Sequence, residues 1–264
     1  MSPIMKPPIS YYGGKQKLSQ RILNIIPQHN VFCEVFFGGG AVYFAKTPSK
    51  VEVINDTNGE LINFYKVLKT NFKKLEKEIR YTLHSREYHR LAEVVFRYPT
   101  LFDEVKRAWA VWVLANQSFA SMLGGTWRLD LQRNTSAKRL QNKRVSFTKE
   151  YEKRLEQTQI ENSDALRIIK IWDKEDTFFY CDPPYYNSDC GHYRGYTEQN
   201  FECLLRSLSE IKGKFLLSSY PSELLEKYTK KFKWFTQKID MPVTVALQRH
   251  GRRKTEVLTA NYKI

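Results

Sequence analysis

The stretch that most constrains this chain is residues 31–56. An apolar run, Val31-Phe32-Cys33-Glu34-Val35-Phe36-Phe37, stops at Gly38-Gly39-Gly40. Residues 41–46 then read as a helix, and a second apolar run, 51–54, stops at Asn55-Asp56. Strand, glycine turn, helix, strand is the opening of a βαβ unit, which implies a parallel sheet with its crossover helix on one face. Helix is predicted again from Thr57, with Leu61, Ile62, Tyr65, Val67 and Leu68 as its inner face. Upstream, Tyr11-Tyr12-Gly13-Gly14-Lys15 forms a turn, and residues 17–26 have apolar positions at helical spacing that Pro27 ends.

The alternation lapses over residues 66–154, which read as mainly helical, most clearly at 102–114, with a break at Gly124-Gly125. It returns as helix 165–171, strand 177–181, helix 198–211, strand 215–219, a short helix through Leu224 and Leu225, and closing strands at 232–238 and 255–262. The expected layout is one α/β sheet domain built from 1–68 and 155–264, with a mainly helical insertion at 69–154.

Charge sets the insertion apart. The 264 residues carry a net charge of +15, and residues 66–154 hold 20 Lys/Arg against 9 Asp/Glu. Such a balance points to a polyanionic partner, nucleic acid before membrane. Between 133 and 149 stand Arg133, Lys138, Arg139, Lys143, Arg144 and Lys149 with no acid. Asn134, Thr135, Ser136, Gln141 and Asn142 lie among them, a mixture suited to phosphate contacts plus some base-edge hydrogen bonds, or else to a solvated loop. Arg249, His250, Arg252, Arg253 and Lys254 make a second basic cluster. Trp109, Trp112, Phe119, Trp127 and Phe147 read mostly as the core of a helical subdomain. The cysteines Cys33, Cys181, Cys190 and Cys203 form no C-x-x-C pair and read as buried small apolar residues in a reducing compartment. With no signal-like or membrane-spanning run, a soluble intracellular protein is expected.

Three places carry candidate chemistry. Phe36 and the turn from Gly38 to Gly40 let backbone approach a ligand closely at a helix amino terminus. The spacing is not G-x-G-x-x-G, and no Gly-Lys-Ser/Thr run occurs, which excludes the dinucleotide fingerprint and the P-loop. Asp56 ends the second strand, where an acid can hydrogen-bond ribose hydroxyls; it could equally cap the helix that follows. Glu34 is costly to bury without a partner, and Lys15 could pair with it or with a ligand carboxylate. Finally, Phe178-Phe179-Tyr180-Cys181 reads as a strand buried on both faces that Pro183-Pro184 ends. Asp182 and Tyr185 are thereby presented at the strand's carboxyl end, where open α/β sheets keep their ligands; a plain Pro-Pro turn is the alternative.

Together these residues resemble the Dam-type family of adenine-specific DNA N6-methyltransferases. The resemblance lies in Tyr11-Tyr12-Gly13-Gly14-Lys15, Glu34-Val35-Phe36-Phe37-Gly38-Gly39-Gly40, Ile54-Asn55-Asp56, Asp164, Tyr180-Cys181-Asp182-Pro183-Pro184-Tyr185, Leu217-Ser218-Ser219, and Arg253 to Leu258 with Tyr262. It implies a Rossmann-like sheet binding S-adenosyl-L-methionine without a metal, and a target-recognition region inserted between cofactor and catalytic motifs. Carried over by position, Tyr11 and Lys15 contact the methionine end of the cofactor and Asp56 its ribose. Glu34, Phe36, Gly38 and Gly40 line the same pocket, and Asp164 closes it or borders the flipped base. Double-stranded DNA is the implied substrate, a cognate restriction endonuclease an optional partner, and a bacterial or phage cytoplasm the implied setting. Tyr11 replaces the tryptophan frequent at that position. The family's Asn-Gly…Arg…Phe-Asn-Val-Pro run is missing, so recognition of GATC does not follow.

The implied chemistry needs the Asp-Pro-Pro-Tyr sequence. The exocyclic amine of adenine is a poor nucleophile, and two acceptors for its hydrogens, the Asp182 carboxylate and the Pro183 carbonyl, draw its nitrogen towards tetrahedral geometry. Pro183-Pro184 hold those acceptors rigidly, and Tyr185 offers a flat face for the base. The target must leave the duplex stack, which costs a few kcal/mol. Competing readings are an amino-methyltransferase acting on RNA or protein and a non-catalytic DNA-binding module.

Overall fold

The computed structural model describes residues 5–187, 195–242 and 253–264. In chain order the helices are α1 (Ser19–Leu23), α2 (Ala41–Ala45), α3 (Gly59–Thr70), α4 (Phe72–Arg80), α5 (Arg86–Arg97), α6 (Glu104–Gln117), α7 (Thr135–Val145), α8 (Glu150–Leu155), α9 (Ala165–Trp172), α10 (Glu198–Glu210) and α11 (Glu223–Phe232). The strands are β1 (Val31–Glu34), β2 (Val51–Asn55), β3 (Thr158–Glu161), β4 (Thr177–Cys181), β5 (Lys214–Ser219), β6 (Phe235–Pro242) and β7 (Arg253–Ala260).

The strands form a seven-stranded sheet in the order β3-β2-β1-β4-β5-β7-β6. β1 pairs in parallel with β2 and β4, and β4 in parallel with β5. β7 lies antiparallel between β5 and β6. The central strand β4 is buried at all five positions, as its aromatic run requires. Burying Phe178 and Phe179 contributes roughly 1.5–3 kcal/mol each.

The chain packs as two compact units. One comprises the chain up to Leu23, Gly38–Pro48 and Asp56–Asn162; the other comprises Asn24–Phe37, Ser49–Asn55 and the chain from Ser163 onward. The second unit has a core of Cys33, Val35, Val53, Ile168, Phe179, Cys181, Phe201, Leu205, Phe215, Leu217 and Val257, drawn from one face of the sheet strands and from α9 and α10, which cover it. In the first, α6 is the hub: Ala108 through Gln117 are all buried, against α3 and α5.

Several elements differ from the sequence reading. The helix expected over 17–26 is only the five residues of α1, because Asn24 and Pro27 interrupt it. The short helix at Leu224 runs for ten residues, capped by the Ser222 hydroxyl on the Leu225 N–H. β3 was not anticipated; its burial pattern is mixed, without the apolar run that marks the inner strands. Cys33 and Cys181 are buried, but Cys203 is exposed on the solvent side of α10, contrary to the reading of all four cysteines as buried. Cys190 lies outside the described residues.

Candidate active site

In the first unit the glycine turn is built around one tyrosine ring. Gly38 and Gly40 have φ of 49° and 67°, backbone that glycine adopts without strain. A Cβ on Gly38 would lie 3.0 Å from Tyr11 Cδ1, and one on Gly39 would lie 2.9 Å from Tyr11 Cβ. The chain can therefore pass directly beneath Tyr11 only because these side chains are absent. Asp56 fixes the turn from the other side: its Oδ2 accepts the Gly38 N–H and its Oδ1 the Asn58 N–H, both at 2.9 Å. Tyr65 adds a hydroxyl donated to the Gly38 carbonyl at 2.9 Å. Burial raises the Asp56 pKa, and the N–H groups of Asn58, Gly38 and Thr57 oppose that shift. Burial, then the Asp56 charge, hold the Tyr11 hydroxyl above the usual tyrosine range.

The two readings of Asp56 separate here. The cap of α3 is Asn58, whose Oδ1 accepts from the Glu60 and Leu61 N–H groups. Lys15 is buried and donates to the Gly13 carbonyl at 3.1 Å within the turn that begins at Tyr11.

The second unit holds the other candidates. Glu34 ends β1 and is 3 % exposed; Phe36 packs partly buried against the core. Asp164 caps α9, accepting from the Leu166 and Arg167 N–H groups. Asn55, which sequence reasoning passed over, ties strand ends together: its Nδ2 donates to the Val35 and Ser163 carbonyls. Pro183 is buried, while Asp182, Pro184 and Tyr185 are half-buried at the carboxyl end of β4. The Tyr185 hydroxyl lies 3.1 Å from Asp182 Oδ1 and also hydrogen-bonds Glu256 Oε1. The Tyr185 ring packs on Tyr220, centroids 4.3 Å apart. Pro184, Tyr185, Tyr186, Asn187, Phe201, Ser219 and Tyr220 line a shallow cleft beside it. Burial, then the charges of Asp182 and Glu256, push the Tyr185 hydroxyl far above its ordinary pKa, so it is a donor throughout the physiological range.

The basic stretch divides. Arg133, Lys138 and Arg139 are exposed on and just before α7. Lys143 donates to the Pro7 carbonyl at 2.9 Å, and Arg144 donates to the carbonyls of Arg80 and Thr82. These last two hold chain to chain inside the unit. Arg252 lies outside the described residues; Arg253 opens β7. The stretch before α7 forms a small hairpin: Ser118 bridges Trp127, and the Phe119 N–H donates to the Thr126 carbonyl. Trp127 stacks on His84 at 4.9 Å with the Arg86 guanidinium 4.7 Å from its ring. Ala120 and Ser121 at its tip have φ of 53° and 60°, strained for residues other than glycine, and Phe119 is 46 % exposed. Among the described residues no group of three His, Cys, Asp or Glu could hold a metal ion, and no helix is long and apolar enough to cross a membrane.

A parallel core with one antiparallel strand inserted next to its edge, carrying the Asp-Pro-Pro-Tyr segment at the carboxyl end of its central strand, is a Rossmann-like α/β sheet. Residues 11–240 match the model of the D12 class N6 adenine-specific DNA methyltransferases, and the chain belongs to that family. It is an enzyme that methylates adenine in DNA. It is 30 % identical over 284 residues to the type II methyltransferase M1.LlaDCHI of Lactococcus lactis subsp. cremoris, covering 98 % of this chain and 96 % of that one. The type II methyltransferase M.MjaIII of Methanocaldococcus jannaschii is 27 % identical over 222 residues, covering 75 % of each. Among solved structures, the precorrin-6y C5,15-methyltransferase of Geobacter metallireducens aligns with a TM-score of 0.38 at 9 % identity, covering 93 % of this chain and 85 % of that one.

Proposed function

We propose that this chain transfers a methyl group from S-adenosyl-L-methionine to N6 of an adenine flipped out of double-stranded DNA. The observation that carries the reading is the Asp182 carboxylate at the end of β4, with the Tyr185 hydroxyl 3.1 Å from its Oδ1 and the Pro183 carbonyl next in the chain. The exocyclic amine has two hydrogens, and these two oxygens are acceptors for them. Their preorganisation lowers the barrier without reorganisation at the moment of transfer. Tyr185 and Tyr220 place aromatic rings beside Asp182, the kind of surface on which a base that has left its stack packs.

The glycine turn suits the cofactor. The side-chain-free turn lets Tyr11 lie directly against backbone, and Asp56, which holds the Gly38 N–H, adds a carboxylate that can accept from ribose hydroxyls. In this reading Tyr11, Lys15, Gly38, Gly40 and Asp56 of the first unit hold the cofactor, which when bound supplies an electrophilic methyl group. Residues 1–68 and 155–264 form the catalytic part, and 69–154 the target-recognition part, with Arg133, Lys138 and Arg139 on phosphates. The type II names of the relatives favour a paired endonuclease that reads the same sequence.

The test is incubation with methyl-labelled S-adenosyl-L-methionine and unmethylated duplex DNA, followed by digestion to nucleosides. Label in N6-methyladenine is the expected result. Label in RNA or protein alone would overturn the substrate.

A further inference from the structure

Glu256 is 2 % exposed, and a carboxylate is buried at a cost of several kcal/mol unless partners compensate it. One of its partners is the Tyr185 hydroxyl, which is also within hydrogen-bond distance of Asp182 Oδ1. One hydroxyl carries one hydrogen, so two carboxylates contend for it. Lys254 stands two residues earlier on β7, on the same face of the strand. Its Nζ donates to the Tyr220 hydroxyl at 3.0 Å, and Tyr220 packs on the Tyr185 ring. β7 thus grips both tyrosines beside Asp182.

We infer that Glu256 is a positioning residue for methyl transfer. By taking the Tyr185 hydrogen it spares Asp182 Oδ1 that bond and so keeps it a better acceptor for the adenine amine, and it fixes the plane of the Tyr185 ring. Without Glu256 the Tyr185 hydroxyl donates to Asp182 alone, occupying a lone pair and weakening it as an acceptor. The inference rests on the reading of Asp182 as that acceptor.

The test is a double-mutant cycle measured as kcat, with KM for S-adenosyl-L-methionine and DNA affinity alongside. Glu256→Ala is expected to lower kcat about tenfold or more, leaving both binding terms within about twofold. Glu256→Gln retains an acceptor oxygen and is expected to stay within about threefold of wild type. Tyr185→Phe removes the contested hydrogen, so adding Glu256→Ala to it should lower kcat by no more than about twofold. Losses that multiply independently would overturn the inference, because a purely structural role for Glu256 does not pass through the hydroxyl. Should Glu256→Ala fold poorly, the Gln variant in both backgrounds still decides: a tenfold loss in it would overturn the proposal. If Asp182→Ala turned over normally, the acceptor reading would fall and this inference with it. An inactive Asp182→Ala beside a fully active Glu256→Ala would sink the inference alone.

Discussion

The Lys143 ammonium donates to the Pro7 carbonyl at 2.9 Å, tying α7 to the arm that leads into Tyr11. Tyr151 and Asn116 secure the same arm, through the Lys6 carbonyl and the Ser10 N–H. Burial, with the neighbouring Lys6 charge, lowers the Lys143 pKa to about 8. A lysine whose folded pKa lies below its unfolded value binds fewer protons when folded, so stability rises with pH between the two. It is lost again as pH falls through about 8. Lys143→Met lacks this slope. Urea unfolding at pH 7.5 and pH 10 should show wild type gaining about 1–3 kcal/mol relative to the variant over that range. Parallel curves would rule the buried lysine out as their source.

Gly39→Ala tests the turn beneath Tyr11. The added Cβ would lie 2.9 Å from Tyr11 Cβ, a contact no rotamer can relieve because both atoms are fixed to backbone. Overpacking of this kind costs about 1–3 kcal/mol. The expected result is a rise in the dissociation constant for S-adenosyl-L-methionine of about tenfold or more, measured calorimetrically, with DNA affinity little changed.

Asp182→Ala removes one of the two proposed acceptors for the amine. By analogy with loss of a preorganised electrostatic group, kcat should fall by at least about 10²–10³-fold. DNA affinity by gel shift should remain within about twofold of wild type, since the carboxylate is not a phosphate-binding group. Near-normal turnover would remove Asp182 from the mechanism.

These sites were legible in the sequence to different depths. The glycine turn and Asp182-Pro183-Pro184-Tyr185 announce themselves, because strand ends with glycines or prolines break a local pattern. The division of labour around Asp56 was not legible: Asp56 and Asn58 are both good caps, and only the hydrogen bonds show that Asn58 caps while Asp56 holds Gly38. Glu256 was equally hidden, since its bond to Tyr185 joins residues 71 apart in sequence. A signal existed in Lys254 and Glu256, two charges on the strand face they share with Leu258 and Ala260. The same limit applies to the basic stretch. Lys143 and Arg144 look like their neighbours in composition, yet their side chains reach carbonyls 136 and more than 60 residues away.

That division yields the last expectation, on the salt dependence of DNA binding. Arg133, Lys138 and Arg139 are exposed, whereas Lys143 and Arg144 are engaged with backbone carbonyls. Asp130 orders the turn that leads from Arg133 into α7: its carboxylate accepts from the N–H groups of Arg133, Thr135 and Ser136 and from the Thr135 hydroxyl. Each phosphate contact contributes about −0.9 to the slope of log K against log salt concentration on duplex DNA. Replacing Arg133, Lys138 and Arg139 together by Ala should therefore make the slope less steep by about 2–3, whatever the sequence of the duplex. Lys143→Met should change it by less than about 0.5, because a lysine bonded to a carbonyl and partly buried releases few counterions. Fluorescence anisotropy between 50 and 200 mM salt, the range in which such slopes are about linear, reads both. A larger slope change from Lys143 than from the exposed trio would mean that α7 meets DNA by its other face.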